Sequence, residues 1–184
     1  MSAMGIAEKK PAVFLDRDGV LIKEKGYVAS RDEMELFPYA AECVAQIHQK
    51  GYYAIVITNQ SGIARGLFTE ESLQEMNDYL KIETGVDVVY YCPHHPKGIV
   101  KKYQCTCHCR KPETGMIDMA CSRFDIDLSK SYIVGDRAGD IKTGQRAGVR
   151  TILLESGYGT LRLEEQVTPD FIRNDLRDVI EILG

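Results

Sequence analysis

The stretch Ala12-Val13-Phe14-Leu15-Asp16-Arg17-Asp18-Gly19-Val20 decides the fold, because an apolar run leads directly into two aspartates and a glycine. A short continuous apolar run is typical of a strand buried on both faces, as in parallel sheets. Ligands of such sheets bind beyond the carboxyl ends of the strands. We therefore expect Asp16 at that edge with Asp18 on the following turn, where two carboxylates can hold a hard cation such as magnesium.

Strands and helices alternate along the rest of the chain. Apolar runs predict strands at 13–15, 53–57, 88–91, 132–134 and 151–154. Amphipathic spacing and capping residues predict five helices. The first begins at Pro38 and ends at Gly51, and the second is capped by Thr69. The others lie over 115–124, over 140–147 and from a cap at Asn174 through Leu183. This order indicates an α/β fold, a doubly wound parallel sheet covered by helices on both faces.

Length and composition limit the function classes. The 184 residues fit one domain, expected over 12–184 behind a flexible leader at 1–11, and the loops after Asp18 and Asn59 leave no room for a cap domain. The net charge of −4 argues against nucleic-acid binding, which needs a basic surface. No apolar run approaches the ~20 residues of a membrane span, and the first ten residues lack the apolar core of a signal peptide. We expect a cytoplasmic monomer with no membrane partner.

Polar residues follow three of the predicted strands immediately. They are Asp16, the pair Thr58-Asn59, and Asp136. Because the carboxyl ends of parallel strands lie along one edge of the sheet, these side chains are expected to converge.

The converging residues supply what hydrolysis of a phosphate ester requires. Asp16 is the candidate nucleophile, which forms an aspartyl-phosphate. Asp18 is the candidate acid for the leaving oxygen and then the base that activates water. Thr58 can donate its hydroxyl to a phosphoryl oxygen, as can the amide of Asn59, and Lys111 can neutralise the negative charges.

The order Asp16-x-Asp18-Gly, Thr58-Asn59, Lys111 and Gly135-Asp136-x-x-x-Asp140 resembles the haloacid dehalogenase superfamily of aspartyl-phosphate enzymes. The resemblance implies the Rossmann-like fold of that superfamily and a magnesium-dependent phosphoric monoester hydrolase. It also implies that magnesium is bound by Asp16, by the backbone carbonyl of Asp18 and by Asp136, with Asp140 in support.

The segment 92–109 breaks the alternation and is rich in cysteine and histidine. Zinc favours four tetrahedral sulfur and nitrogen ligands. Cys92 and His94 form one close pair, and two of Cys105, Cys107 and Cys109 would form the other. Such a site has no open position and is therefore structural. A disulfide or free thiols are the alternatives.

This segment resembles the zinc-loop branch of the superfamily, where Cys-x-His is followed after a spacer by Cys-x-Cys before the catalytic lysine. The resemblance implies Cys92, His94, Cys107 and Cys109 as zinc ligands. Cys105 could compete with the last two, and His95 or His108 could replace His94. Cys43 and Cys121 lie on predicted helices and are expected to be small buried hydrophobes.

The runs FLDRDGVLIKEKGYV, TNQSGIARGLFTEE, YYCPHHPKG and CRKPETGM resemble the heptose-bisphosphate phosphatases of this branch. The resemblance implies hydrolysis of the 7-phosphate of D-glycero-D-manno-heptose 1,7-bisphosphate, which serves nucleotide-activated heptose and lipopolysaccharide synthesis. Alternatives are a histidinol-phosphate phosphatase, a catalytically silent zinc module and a nucleic-acid 3′-phosphatase. Val20 and Arg137 depart from the threonine and lysine usual in relatives. The expected substrate contacts are Glu24, Lys25, Gly26, Tyr27, Thr58, Asn59, Gln60, Ser61, Arg65, Arg110, Lys111 and Arg137.

Overall fold

The computed structural model describes residues 9–163 and 166–184, apart from the side chain of residue 162. The strands are β1 Ala12–Leu15, β2 Tyr53–Asn59, β3 Val88–Cys92, β4 Tyr132–Gly135, β5 Arg150–Leu154 and β6 Phe171–Arg173. The α-helices are α1 Ala40–Gln49, α2 Glu70–Thr84, α3 Gly115–Arg123, α4 Ala138–Ala147 and α5 Leu176–Ile180. Short 3-10 turns occur at Arg31–Glu33, Lys101–Tyr103, Leu128–Lys130 and Gly159–Arg162.

The six strands form one parallel sheet in the order β3-β2-β1-β4-β5-β6. The strand order reverses between β1 and β4, so a crevice opens beyond their carboxyl ends, where open α/β sheets bind ligands. Asp16 and Asp136 are the residues that follow these two strands. The predicted doubly wound sheet is confirmed, and its reversal point coincides with the predicted site.

Successive residues of β1 point to opposite faces of the sheet, which is the strand period of two. Val13 and Leu15 join the core cluster that holds the buried residues of α1, α2 and α5. Ala12 and Phe14 join the cluster that holds those of α3. All four residues of β1 are fully buried. Because both faces are covered, the strand reads as an unbroken apolar run.

The second predicted helix is capped as expected. Thr69 has an extended backbone, and its hydroxyl oxygen accepts a hydrogen bond from the Ser72 amide at 3.2 Å. Gly85 ends the helix at a φ of +76°, a conformation that favours glycine.

The chain ends differ from the prediction. The last helix is capped by Asp175 rather than Asn174, and it ends at Ile180 rather than Leu183. Strand β6 is an edge strand of three residues, too short to produce a periodic signal. At the other end, residues 1–8 of the expected leader lie outside the described part of the chain. Lys10 is already paired, because its backbone exchanges hydrogen bonds with Asp125 and Asp127.

The connections from β1 to α1 and from β2 to α2 span residues 16–39 and 60–69. Within residues 9–163 and 166–184, the only helical element in them is the 3-10 turn Arg31–Glu33, and no cap domain is present. The crevice is therefore bordered by loops of the same domain. In that part of the chain, no helix has both the length and the hydropathy that crossing a membrane requires.

Candidate active site and metal centres

Asp16 begins the site at the end of β1. Its amide continues the pairing with β4 by donating to the Val134 carbonyl at 2.9 Å, which fixes the backbone. Its carboxylate accepts a hydrogen bond from the Arg17 amide at 2.8 Å, and the residue is 8% exposed. Burial raises the pKa of Asp16 to about 6, although the charge of Lys111 acts in the opposite direction.

Lys111 delivers its ammonium group to the base of the crevice. The Nζ atom lies 3.0 Å from Asp16 Oδ1 and 2.5 Å from Asp140 Oδ1, and it donates to the Ile57 carbonyl at 2.9 Å. Burial alone would lower the pKa of Lys111, but the charges of Asp140 and Asp16 outweigh it and the pKa is raised. The lysine is therefore charged and set against the predicted nucleophile, as the sequence suggested.

Asp140 is placed by the first turn of α4. Its Oδ2 accepts a hydrogen bond from the Arg137 amide at 3.1 Å, so it caps the helix it belongs to. Its other oxygen pairs with Lys111. Both oxygens are thus occupied, and Asp140 supports the site by fixing the lysine.

Asp136 follows β4 and is fully buried. Its Oδ2 accepts a hydrogen bond from the Tyr158 amide at 2.9 Å. A Cβ at Gly19 or Gly157 would lie 2.4 or 2.0 Å from that oxygen, so both positions exclude any side chain. Gly19 also has a φ of +81°. Glycine at these two positions lets the backbone close around the carboxylate.

The acidic cluster fits a divalent cation. The carboxylates of Asp16, Asp136 and Asp140 supply oxygens that all lie within 4.8 Å of one another. Asp136 Oδ1 is buried and has no hydrogen-bond partner among the described residues. Burial, with the charges of Asp16 and Asp140, raises the pKa of Asp136 to about 8. A buried carboxylate oxygen that has no hydrogen bond, lies 3.7 Å from Arg137 Nε and sits beside a second carboxylate is the environment that magnesium satisfies.

Asp18 lies in a polar network that the sequence did not predict. Arg17 Nε and Nη2 donate to its two carboxylate oxygens at 3.0 and 3.1 Å. Gln60 Nε2 donates to Asp18 Oδ2 at 3.0 Å and to Thr58 Oγ1 at 2.9 Å. Three hydrogen bonds thus hold the Asp18 carboxylate in place, and magnesium binding by its backbone carbonyl stays a prediction.

The side chain of Asn59, which was expected to donate to a phosphoryl oxygen, binds the backbone of Lys111. Its Nδ2 donates to the Lys111 carbonyl at 3.1 Å, and its Oδ1 accepts from the Lys111 amide at 3.0 Å. The side-chain amide therefore holds the backbone of the lysine on both sides. Asn59 still borders the cavity, and donation to a phosphoryl oxygen stays a prediction.

A cavity of about 450 Å³ covers this network. Most of the predicted contact residues line it, but Glu24, Lys25 and Arg65 do not. Glu24 and Lys25 line a neighbouring cavity that shares Gly26 and Tyr158 with the first. The predicted contacts that line the main cavity are Gly26, Tyr27, Thr58, Asn59, Gln60, Ser61, Arg110, Lys111 and Arg137.

Arg137 forms part of the cavity mouth. It pairs with Glu24 at 2.6 Å, and its guanidinium lies 4.4 Å from the centre of the Tyr158 ring. Burial would lower the pKa of Arg137, but the hydrogen bond to Glu24 outweighs it and raises the pKa. Arg65 lies farther out, with Nη2 3.4 Å from His95 Nε2.

The predicted zinc ligands come together at the end of β3. The sulfurs of Cys92, Cys107 and Cys109 lie 3.1–3.3 Å apart. His94 Nδ1 lies 3.7 Å from Cys92 Sγ and 3.5 Å from Cys109 Sγ. These separations are too long for disulfides, whose sulfurs lie about 2.05 Å apart. Three sulfurs and one imidazole nitrogen around a common centre are a donor set that zinc favours.

The alternative ligands lie elsewhere. Cys105 is exposed and outside the cluster. His95 Nδ1 accepts from the Lys97 amide, and His108 Nε2 lies 2.7 Å from Asp118. The four side chains that come together as a possible metal site are therefore Cys92, His94, Cys107 and Cys109. Arg110 follows the last ligand, and its Nη1 donates to the His94 carbonyl at 3.2 Å, which ties the cluster to the cavity wall.

Comparisons with known proteins find a hydrolase family model and several similar phosphatases. Residues 108–179 match the HAD-hydrolase-like family model. The D-glycero-beta-D-manno-heptose-1,7-bisphosphate 7-phosphatase of Haemophilus ducreyi is 39% identical, with 93% of this chain and 97% of that protein covered. The alpha-anomer 7-phosphatase of Photorhabdus laumondii is 42% identical, with 83% and 86% covered. A similar solved structure is the crystal structure of D,D-heptose 1,7-bisphosphate phosphatase from B. bronchiseptica complexed with magnesium and phosphate. Its sequence is 33% identical and its TM-score is 0.79, with 94% of this chain and 97% of that chain covered.

Proposed function

We propose that this chain, which belongs to the D-glycero-D-manno-heptose-1,7-bisphosphate 7-phosphatase family of HAD-like hydrolases, removes the 7-phosphate of that sugar. The products are heptose 1-phosphate and inorganic phosphate. The observation that carries the proposal is the buried Asp16–Lys111 pair at the base of a cavity large enough for a sugar phosphate. Beside this pair lies Asp136 Oδ1, which is buried and has no hydrogen-bond partner among the described residues. A phosphoryl-transfer site needs a nucleophile, a cation against it and a metal site.

In the first step, a carboxylate oxygen of Asp16 attacks phosphorus, and the bond from phosphorus to the sugar oxygen breaks. Asp18 gives its proton to that leaving oxygen. The positive charge of Lys111 lies next to Asp16 and lowers the repulsion between the Asp16 carboxylate and the phosphate. Thr58 Oγ1 accepts a hydrogen bond from Gln60, so its own hydrogen is free to donate to a phosphoryl oxygen.

In the second step, Asp18 takes a proton from water, the water oxygen attacks phosphorus, and the bond to Asp16 breaks. Magnesium, held by Asp16, Asp136 and the backbone carbonyl of Asp18, supplies positive charge that offsets the charge of the phosphate. Cys92, His94, Cys107 and Cys109 would hold zinc, which would fix the loop that carries Arg110 and Lys111 without taking part in the chemistry.

The enzyme is proposed to act as a cytoplasmic monomer on a small sugar phosphate, with no nucleic-acid or membrane partner. This chain itself supplies the residues that line the cavity and those of both candidate metal clusters. Zinc thiolates must stay reduced, which the cytosol favours.

Steady-state kinetics on both anomers of heptose 1,7-bisphosphate, with histidinol phosphate as the control ester, test the proposal. We expect kcat/KM on at least one heptose anomer to exceed that on histidinol phosphate by at least about 100-fold, since substrate-specific contacts of a few kcal/mol give that ratio. Asp16→Asn is the matched inactive variant, and its activity should fall at least about 1000-fold. A preference for histidinol phosphate would overturn the substrate, and an active Asp16→Asn would overturn the nucleophile.

A further inference from the structure

Arg17, the residue between the two aspartates, is buried inside the site although it carries a full charge. It is 1% exposed and lines the cavity. Its Nε and Nη2 bind the two oxygens of Asp18 at 3.0 and 3.1 Å, in the two-nitrogen arrangement that suits a carboxylate. Burial of a guanidinium is costly unless it is paired. The pairing with Asp18 therefore fixes the orientation of both side chains.

Gln60, the first residue after β2, forms hydrogen bonds with both Arg17 and Asp18. Its Oε1 accepts from Arg17 Nη2 at 3.1 Å, and its Nε2 donates to Asp18 Oδ2 at 3.0 Å. The residue is 5% exposed. Arg17 is thereby held on two sides, and Asp18 Oδ2 receives two hydrogen bonds.

We propose that Arg17 and Gln60 are positioning residues that restrict proton transfer by Asp18 to its Oδ1 atom. A carboxyl group has about four acceptor positions. Three are filled here, two on Oδ2 and one on Oδ1. The position left on Oδ1 is where a proton can be held and given away. The inference rests on the proposed function, since it concerns how the acid of that reaction is oriented.

The step it controls is departure of the sugar oxygen. As the bond between Asp16 and phosphorus forms, the bond from phosphorus to the sugar oxygen breaks, and the proton on Asp18 Oδ1 moves to that oxygen. Asp18 is left as a carboxylate, with its charge facing the guanidinium of Arg17. An alkoxide is a poor leaving group and needs this proton, whereas p-nitrophenolate leaves without it.

Arg17→Met is the direct test, with kcat/KM measured on heptose 1,7-bisphosphate and on p-nitrophenyl phosphate. This parameter includes no step after the leaving group departs. We expect a loss of at least about 100-fold on the sugar phosphate, the size of a general-acid effect, and of less than about tenfold on the aryl ester. The matched control is Arg177→Met, because Arg177 binds Asp175 through the same two nitrogens, at 3.0 and 2.6 Å, and does not line the cavity. It should change neither value.

A double-mutant cycle with Asp18→Asn separates action through Asp18 from a general effect on the site. In the Asp18→Asn background, Arg17→Met should lower kcat/KM on the sugar phosphate by less than about threefold. If Arg17→Met fails to fold, Gln60→Leu tests the same orientation with the guanidinium intact. It should reduce activity on the sugar phosphate more than on the aryl ester.

Equal losses on the two esters, or losses that multiply in the cycle, would overturn the proposal. They would mean that Arg17 acts on the phosphoryl group or on the fold. A parent enzyme that is inactive on heptose bisphosphate but active on another alkyl phosphate contradicts only the proposed substrate. The ratio measured with that other ester still tests the positioning.

Discussion

Replacement of Asp136 by asparagine is expected to stabilise the metal-free protein and to abolish its response to magnesium. The Asp136 carboxylate is fully buried near two other carboxylates, and its Oδ1 has no hydrogen-bond partner among the described residues. An asparagine can keep the hydrogen bond from the Tyr158 amide through its oxygen. Its amide nitrogen then occupies the place of Oδ1 and carries no charge.

The size of the effect follows from the pKa of Asp136, which burial raises from 3.8 to about 8. A carboxyl group whose pKa is raised in the folded state does not lower the free energy of unfolding at a pH below 3.8. It lowers that free energy increasingly as the pH rises toward 8, because the folded state resists ionisation. The interval from 3.8 to neutral pH is about three pH units, each worth about 1.4 kcal/mol. At neutral pH and without metal, the variant should therefore be more stable, by an amount on the order of a few kcal/mol.

Urea unfolding followed by far-ultraviolet circular dichroism is the suitable assay, since the chain has no tryptophan. In EDTA, the free energy of unfolding of the parent should fall from pH 5 to pH 8, whereas that of Asp136→Asn should change less. Excess magnesium should raise the stability of the parent, increasingly so at higher pH, and leave the variant unchanged. Asp78→Asn, a change at an exposed residue of α2, is the control and should follow the parent.

One result would refute this reasoning. If Asp136→Asn in EDTA at neutral pH unfolds at the same or lower urea concentration than the parent, the buried charge is not a cost to the fold. A stabilising effect of magnesium retained by the variant would likewise remove Asp136 from the metal site.

Three further perturbations test the rest of the site. Cys109→Ser should lose zinc, measured by metal analysis, and its kcat on the sugar phosphate should fall at least about tenfold, as it does on loss of a supporting group. The control Cys121→Ser should keep both its zinc and its kcat. Full turnover after verified zinc loss would refute the structural role. Asn59→Ala removes two hydrogen bonds to the Lys111 backbone. The free energy of unfolding should therefore fall by about 1–3 kcal/mol, and kcat should fall with it. Gln74→Ala, at an exposed residue, should leave both quantities unchanged. Lys111→Met leaves the carboxylates around it unpaired and should destabilise the fold in EDTA by about 3–5 kcal/mol; a change below about 1 kcal/mol by urea unfolding would contradict the buried ion pair.

The parts of the site that the sequence predicted well share a local signal. Asp16 and Asp136 each follow a short apolar run, and the parallel sheet then places both at one edge. The candidate zinc ligands occur as two close pairs in the sequence, and the resemblance to the zinc-loop branch implied which cysteines form the second pair. Strand β6 gave no such signal, because three residues at the edge of a sheet are too few to show a period.

The partners of these residues were not predictable. Asn59 was interpreted as a phosphate donor, yet it binds the backbone of a residue 52 positions later. Arg17 was not singled out at all. The one signal for it was a charged residue between two aspartates at the end of a buried strand, where an unpaired guanidinium would be costly.

By itself, the sequence determined the α/β class and the order of the chemical groups, and its resemblance to the zinc-loop branch implied the candidate metal ligands. The fold class and the order of the groups depend on periodicity and spacing within short segments, which propensity and burial impose on each segment separately. Only the tertiary structure decided that Lys111 is shared between Asp16 and Asp140, and that Arg17 and Gln60 enclose Asp18. Contacts between groups that are distant along the chain depend on how the intervening helices and strands pack, and the packing of the whole core fixes their distances.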